Sequence, residues 1–396
     1  MAYWKGLRSF SNPWTISIEC DVQTSPPPEI KLSPYRGEGV KRQMSNDKPS
    51  LEQLACPAPL PSQDKVLLGH GSGGRLSAEL LQKIFLPAFQ NPALNSLNDQ
   101  AVVSVEGVRL AFTTDSFVVK PLFFPGGDIG SLAVHGTIND LAMGGAVPLF
   151  ISAAFILEEG LPLETLGRIV GSFSRAAQEA GVQVVTGDTK VVERGKGDGI
   201  FINTSGIGRV PAGINLSADQ ARPGDRIILS GPIGDHGIAI LSQREGLEFG
   251  GPVASDSEAL HTLVAAMLEA SPAIRCMRDP TRGGLSSALN EIAAQSRVGM
   301  KLEESAIPIS EVVKGACELL GLDPMYVANE GKLVAIADRS AANGILAAMR
   351  AHPLAMQAQI IGTVTQEHPG LVTMRGMLGT TRIVDMLAGD QLPRIC

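Results

Sequence analysis

The chain reads as an α/β or α+β protein of two folded domains behind an extended leader, and three observations lead there. From Lys65 onward, short β-branched runs alternate with longer amphipathic segments, the signature of layered strands and helices. The 396 residues are 44% hydrophobic, enough for two or three cores at roughly 100 to 200 residues per domain. Breaker-rich stretches fall at two places, residues 1–62 and 210–225, and divide the chain there.

Residues 1–62 hold Trp4, Trp14, Tyr3 and Tyr35 together with nine of the 26 prolines, and sustain no period of 3.6 or 2. They are expected to form a disordered, proline-rich leader. The first domain is expected over 63–210, with strands at 65–68, 101–105, 110–114, 149–157, 182–186 and 200–206. Its helices are expected at 76–85, 131–143 and 163–180, the last closed by Gly181 as a C-terminal cap. The second domain is expected over 211–388. Its helices fall at 258–270, 285–295 and 311–320, and its strands at 226–230, 332–337, 359–364, 371–374 and 381–384. Gly389 and Pro393 break any further element and leave 389–396 as a mobile tail ending in Cys396.

Composition excludes several classes of function. With 33 Lys and Arg against 40 Asp and Glu the net charge is −7, which gives no nucleic-acid-binding surface. The longest uncharged run, residues 141–157, is broken by Gly144, Gly145 and Pro148 and reads as a helix end, a turn and a buried strand, not a membrane span. The first 20 residues lack the apolar core of a secretory signal, so the protein is expected in the cytoplasm. Five cysteines without a CxxC pair make no disulfide framework, and six scattered histidines make no zinc site. Cys276 and Cys317 lie in apolar contexts that read as core packing.

The chemistry is expected in loops. Gly71, Gly73 and Gly74 of GHGSGG expose backbone N–H groups ahead of a helix and can cradle phosphate, although GxxxxGK[ST] is absent. Asp99, Asp115, Asp140 and Asp188 each follow an apolar run, the position from which carboxylates converge on one sheet edge, and magnesium prefers a few carboxylates plus water and phosphate. Lys190 lies two residues after Asp188, and Glu330 precedes an apolar strand; the first suits charge neutralisation or proton exchange and the second a base. In RDPTRGGL, Asp279, Arg282 and two glycines precede a helix, a second anion-binding end.

FTTDSFVVKPLFFPGGDIG, GTINDLAMGGA, GDTKVV, RDPTRGGL, NEGKL and the ending PRIC together resemble the HypE family of hydrogenase maturation proteins, over about residues 66–396. Several of these motifs are also similar to those of the wider PurM-like ATP-using superfamily. The resemblance implies two PurM-like α+β domains, with mixed sheets packed by helices. The first domain would form a homodimer interface, and an ATP cleft would lie between domains and subunits. It implies that a HypF-type carbamoyltransferase loads Cys396, and that Mg²⁺ and ATP dehydrate the resulting thiocarboxamide to a thiocyanate. A HypC and HypD complex would then take the cyanide for the iron of nickel-iron hydrogenase. Matched by motif, Asp99, Asp115, Asp140 and Asp188 are the metal and phosphate group, with Asn139, Gly187, Thr189 and Asp279 among the nucleotide contacts. Lys190 and Glu330 are the proton-transfer and orienting pair. A related kinase or synthetase, a non-enzymatic thiol carrier and an assembly scaffold are the alternative readings.

Overall fold

The computed structural model describes residues 65–389, 392 and 394–396. The expectations for the leader at 1–62 lie outside the described residues. The described residues form one compact unit.

That unit begins with a 3₁₀ turn at Leu68–Gly71 where a strand is expected over 65–68. Val66 and Leu68 are exposed, so a three-residue apolar run followed by Gly69 finds no sheet to join. α1 (Arg75–Leu80) then passes through a π-helical turn, Leu81–Phe85, into α2 (Leu86–Phe89). Pro87 is the second residue of α2, immediately after the π-helical turn.

The first half continues with β1 (Ala101–Val105), β2 (Val108–Phe117), the short hairpin β3 (Phe123–Phe124) and β4 (Gly127–Asp128), α3 (Ile129–Met143), β5 (Val147–Glu158), α4 (Leu163–Glu179), β6 (Gln183–Val192) and β7 (Ile200–Arg209). Its sheet has the order β1-β2-β7-β5-β6, antiparallel except for the β5–β6 pair that α4 connects. Asp128 caps α3, accepting the N–H groups of Gly130 at 2.7 Å and Ser131 at 3.2 Å. α3 packs on β2, β7 and β5, and α4 packs on α3. The opposite face of the sheet carries a cross-strand row: Phe112 pairs with Ile207, and Ile207 with Phe150. These three are 45%, 38% and 41% exposed.

The second half contains β8 (Arg226–Leu229), α5 (Asp235–Glu245), α6 (His261–Ala270), β9 (Ile274–Arg278), α7 (Gly284–Ser296), β10 (Gly299–Glu303), α8 (Glu311–Leu320), β11 (Val334–Ala337), α9 (Ala342–Ala351), β12 (Gln359–Thr365), β13 (Val372–Arg375) and β14 (Thr381–Ile383). They build a mixed sheet of order β14-β13-β10-β12-β8-β11-β9. α5, α9, β9 and β10 are additions to the sequence reading. The first turns of α5 are buried on every side, from His236 to Ile240, so no apolar period marks them. β9 looks polar because Arg275 and Arg278 occupy two of its five positions; both are neutralised by acidic partners. Ala142 and Met143 at the end of α3 share a core cluster with residues of β8, β11, α6 and α9, and this packing holds the halves together.

Candidate active site

Acidic side chains from both halves converge on a cavity of about 210 Å³. β2 alternates, so Thr113, Asp115 and Phe117 face α3 while Phe112 faces away. Gly136 permits the approach: a Cβ there would lie 3.0 Å from the Phe117 ring and 3.6 Å from Asp115 Oδ2. Asp140 stands one helical turn further along α3 and accepts the Thr113 hydroxyl at 2.7 Å. Asp99 enters from the loop before β1, and Asp279 from the residue after β9. Glu330 comes from the loop before β11, and Cys396 from the end of the chain.

Burial, then Asp279, Asp115 and Asp99 in turn, push the Asp140 carboxyl well above the usual range. Asp279 is raised the same way, by burial and then by Asp99. Burial also raises Asp99 and Asp115, opposed by Arg278 and Arg282 respectively. Arg278 reaches Asp99 Oδ1 at 2.7 Å and Glu291 Oε2 at 2.9 Å, tying the first half to α7. Arg282 lies 4.0 Å from Asp115. Glu330 is 3% exposed, and its Oε1 has no hydrogen-bond partner. Burial and then Asp279 and Asp115 raise its carboxyl well above the ordinary value. Such a group takes a proton readily.

The tail ends inside this cavity. Val118 N–H donates to a terminal carboxylate oxygen of Cys396 at 3.0 Å, and Lys120 N–H to the Arg394 carbonyl at 3.3 Å. His236 Nε2 lies 2.8 Å from the Ile395 carbonyl oxygen. Burial pushes the Cys396 thiol up, with Arg282 opposing.

The remaining predicted residues do not line this cavity. Gly187, Asp188, Thr189 and Lys190 lie on β6 at the sheet edge, where Lys190 Nζ pairs with Asp188 Oδ2 at 2.6 Å and both side chains are exposed. That pairing holds the Asp188 carboxyl low. Gly187 faces Ala153, where a Cβ would come within 2.2 Å of a carbonyl oxygen. Asn139 is buried and spends its amide on backbone, donating to the carbonyls of Glu258 and Glu330. Gly73, at φ +72°, abuts Arg282, and Gly74 abuts Leu387, and both also line a larger cavity next to the acidic one. Gly71 lies beside the tail with Arg282 and Cys396. Sequence reasoning passed over His236, Ser255 and Asp256, which lie behind the cavity and carry no spacing signal. Among the described residues, no three His, Cys, Asp or Glu side chains gather closely enough to hold an ion unaided. No helix among them is long and apolar enough to cross a membrane.

A second cavity, of about 610 Å³, adjoins the first at Asp99 and Thr114 and is lined by apolar side chains such as Leu81, Leu94, Leu97 and Phe112. A two-sheet α+β body with an acidic cleft between its halves defines the class: residues 97–210 match the N-terminal domain of AIR synthase-related proteins, and 222–374 match their C-terminal domain. The carbamoyl dehydratase HypE of Azotobacter vinelandii is 62% identical over 327 residues, 83% of this chain and 96% of that one. A crystal structure of HypE in complex with ATP superposes with a TM-score of 0.71 at 50% identity, covering 84% of this chain and 100% of that one. A HypE–HypF complex gives 0.75 at 49% identity, covering 78% and 99%. The chain belongs to the HypE family of carbamoyl dehydratases, enzymes of hydrogenase maturation.

Proposed function

We propose that the protein dehydrates a carbamoyl group carried on its own Cys396, consuming ATP and leaving a thiocyanate. The observation that carries this reading is the seat of Cys396, whose thiol shares one cavity with Glu330, Asp115 and Arg282. A HypF-type carbamoyltransferase would load the sulfur while the tail is outside, and a HypC and HypD complex would receive the cyanide. The division of labour follows the expected domains. Residues 63–210 supply Asp99, Asp115, Asp140 and a dimer face, 211–388 supply Asp279, Arg282 and Glu330, and 389–396 form the carrier tail. The two readings without catalysis, carrier and scaffold, give the buried carboxylates no work.

The adenosine end of ATP fits the larger, apolar cavity and its phosphates the acidic one. Oxygen donors alone suit Mg²⁺, and the mutually raised carboxylates of Asp140 and Asp279 favour a cation between them. Asp99, Asp115, Asp140 and Asp279, which do not gather closely enough to hold an ion by themselves, would hold it together with phosphate oxygens, whose charge it would neutralise. The amide oxygen of the thiocarboxamide bonds to the γ-phosphorus as ADP departs, and one N–H proton passes to Glu330. The C–O bond then breaks, phosphate leaves with the oxygen and takes up the second N–H proton, and the nitrile is complete. Arg282 faces the negative charge that develops.

Lys190 enters through a second copy. The exposed row Phe112–Ile207–Phe150 is an apolar sheet face of the kind that a homodimer covers. Packed that way, β6 would carry Asp188 and Lys190 of one copy to the cleft of the other. The decisive experiment follows intact mass during incubation with HypF-type carbamoyltransferase, carbamoyl phosphate and Mg-ATP. Gain of a carbamoyl group followed by loss of one water supports the reading; a carbamoyl adduct that persists with ATP rejects it.

A further inference from the structure

Beyond the reacting groups, the tail has a purpose-built seat. Val118 and Lys120 pair with Cys396 and Arg394 as an extended strand pairs, through alternate residues. In that pattern the Ile395 carbonyl faces the other way, toward α5, and the donor that meets it is His236. His236 is fully buried. A carbonyl oxygen only accepts, so Nε2 carries the hydrogen, and Nδ1 accepts from the Ser255 hydroxyl at 2.7 Å. Ser255 Oγ in turn accepts the Ser257 N–H at 3.1 Å. The next residue, Asp256, accepts the Glu330 N–H at 3.0 Å. Here the loops touch backbone to backbone: a Cβ on Gly331 would fall 1.7 Å from the Asp256 carbonyl oxygen. The Phe124 ring, edge-on at 5.7 Å, closes the remaining side of the imidazole.

We propose that His236 is the positioning residue of the carrier tail, holding the Ile395 carbonyl so that the Cys396 side chain enters the acidic cavity in register with Glu330. Ser255 and Asp256 make the register common, since one short loop fixes both the imidazole and the base. The proposal rests on the reading of Cys396 as carrier, yet seating of the tail is measurable without that chemistry.

The test uses the full chain. Peptide-resolved iodoacetamide labelling follows Cys396, with Cys276 and Cys317, both buried in the cores, as controls for unfolding. In His236→Ala, Cys396 is expected to label about tenfold faster, the fold-change that one lost hydrogen bond gives, with both controls unreactive. His236→Gln, whose amide can donate to the same carbonyl, is expected to return labelling toward the original rate. Single-turnover dehydration should follow the same order, slow in Ala and recovered in Gln, while carbamoyl loading is unchanged or faster in both. Unchanged Cys396 labelling in a folded His236→Ala protein overturns the proposal. Should that variant expose Cys276, Ser255→Ala supplies the test, because losing the hydroxyl that orients the ring must also speed Cys396 labelling; no change there overturns it equally. Faster labelling in a protein that never dehydrates would uphold the seat and reject the functional reading instead.

Discussion

Asn139 on α3 donates to the carbonyl of Glu330 at 3.2 Å while its own carbonyl accepts the Leu260 N–H at 2.8 Å. One amide thus holds the loop of the proposed base, the start of α6 and the helix that bears Asp140. Its replacement by alanine strands the buried Leu260 N–H, which costs about 1 to 3 kcal/mol. Asn139→Ala is expected to lower the thermal midpoint by about 2 to 12 °C, given ~2 to 4 °C per kcal/mol in domains of this size. A midpoint within about a degree of the parent would reject the structural role.

Cys396→Ser should keep the fold and bind ATP, yet carry no stable thiocarboxamide. Intact mass after loading decides this, and a normal carbamoyl adduct on the variant would remove Cys396 from the scheme.

Glu330→Gln should accept the carbamoyl group but dehydrate it about 10²- to 10⁴-fold more slowly, the usual loss for a missing general base. Lys190→Ala should behave alike, and mixing tells whether the two act across copies. In a 1:1 mixture half the dimers are mixed, and one of two sites in each regains both groups, so about one quarter of the full rate should return. Mixtures as inactive as their components would place Lys190 in its own chain's cleft or outside the reaction.

The acidic cavity carries a pH signature. Burial and mutual repulsion raise Asp140, Asp279 and Glu330 above their unfolded values, so the folded state holds more protons. Stability from these groups is therefore full below about pH 4 and is lost as pH rises toward their folded values. Asp140→Asn should raise the melting temperature of the nucleotide-free protein at pH 8 more than at pH 5, while weakening Mg-ATP binding. Equal shifts at both pH values would contradict the assigned charge repulsion.

Replacing Ile207, at the centre of the exposed apolar row, by Asp should convert a homodimer to monomer in light scattering without unfolding it. A parent protein that is already monomeric would reject the dimer reading.

What the sequence displayed and what it hid have the same physical origin. α8 lies at the expected residues because Val313, Ala316 and Cys317 recur on one buried face; β1 also does, although no residue of it is buried, because its β-branched run joins the edge of the first sheet. Asp115 and Asp140 could be singled out as carboxylates that follow apolar runs, although they lie within β2 and α3 and not in loops, and Glu330 as one that precedes an apolar strand. His236 could not: its partners Ser255 and Ile395 lie 19 and 159 residues away, and nothing local announces them. Asp188 and Lys190 share a motif with no residue of the cavity, and the single chain leaves them at its edge.

The parked thiol has one more effect. Burial keeps Cys396 protonated while the tail is seated, and oxidation attacks thiolates that solvent can reach. On the reading of Cys396 as the carrier, a protein whose tail is seated and unloaded is therefore expected to lose this thiol to peroxide more slowly than one whose tail has been displaced.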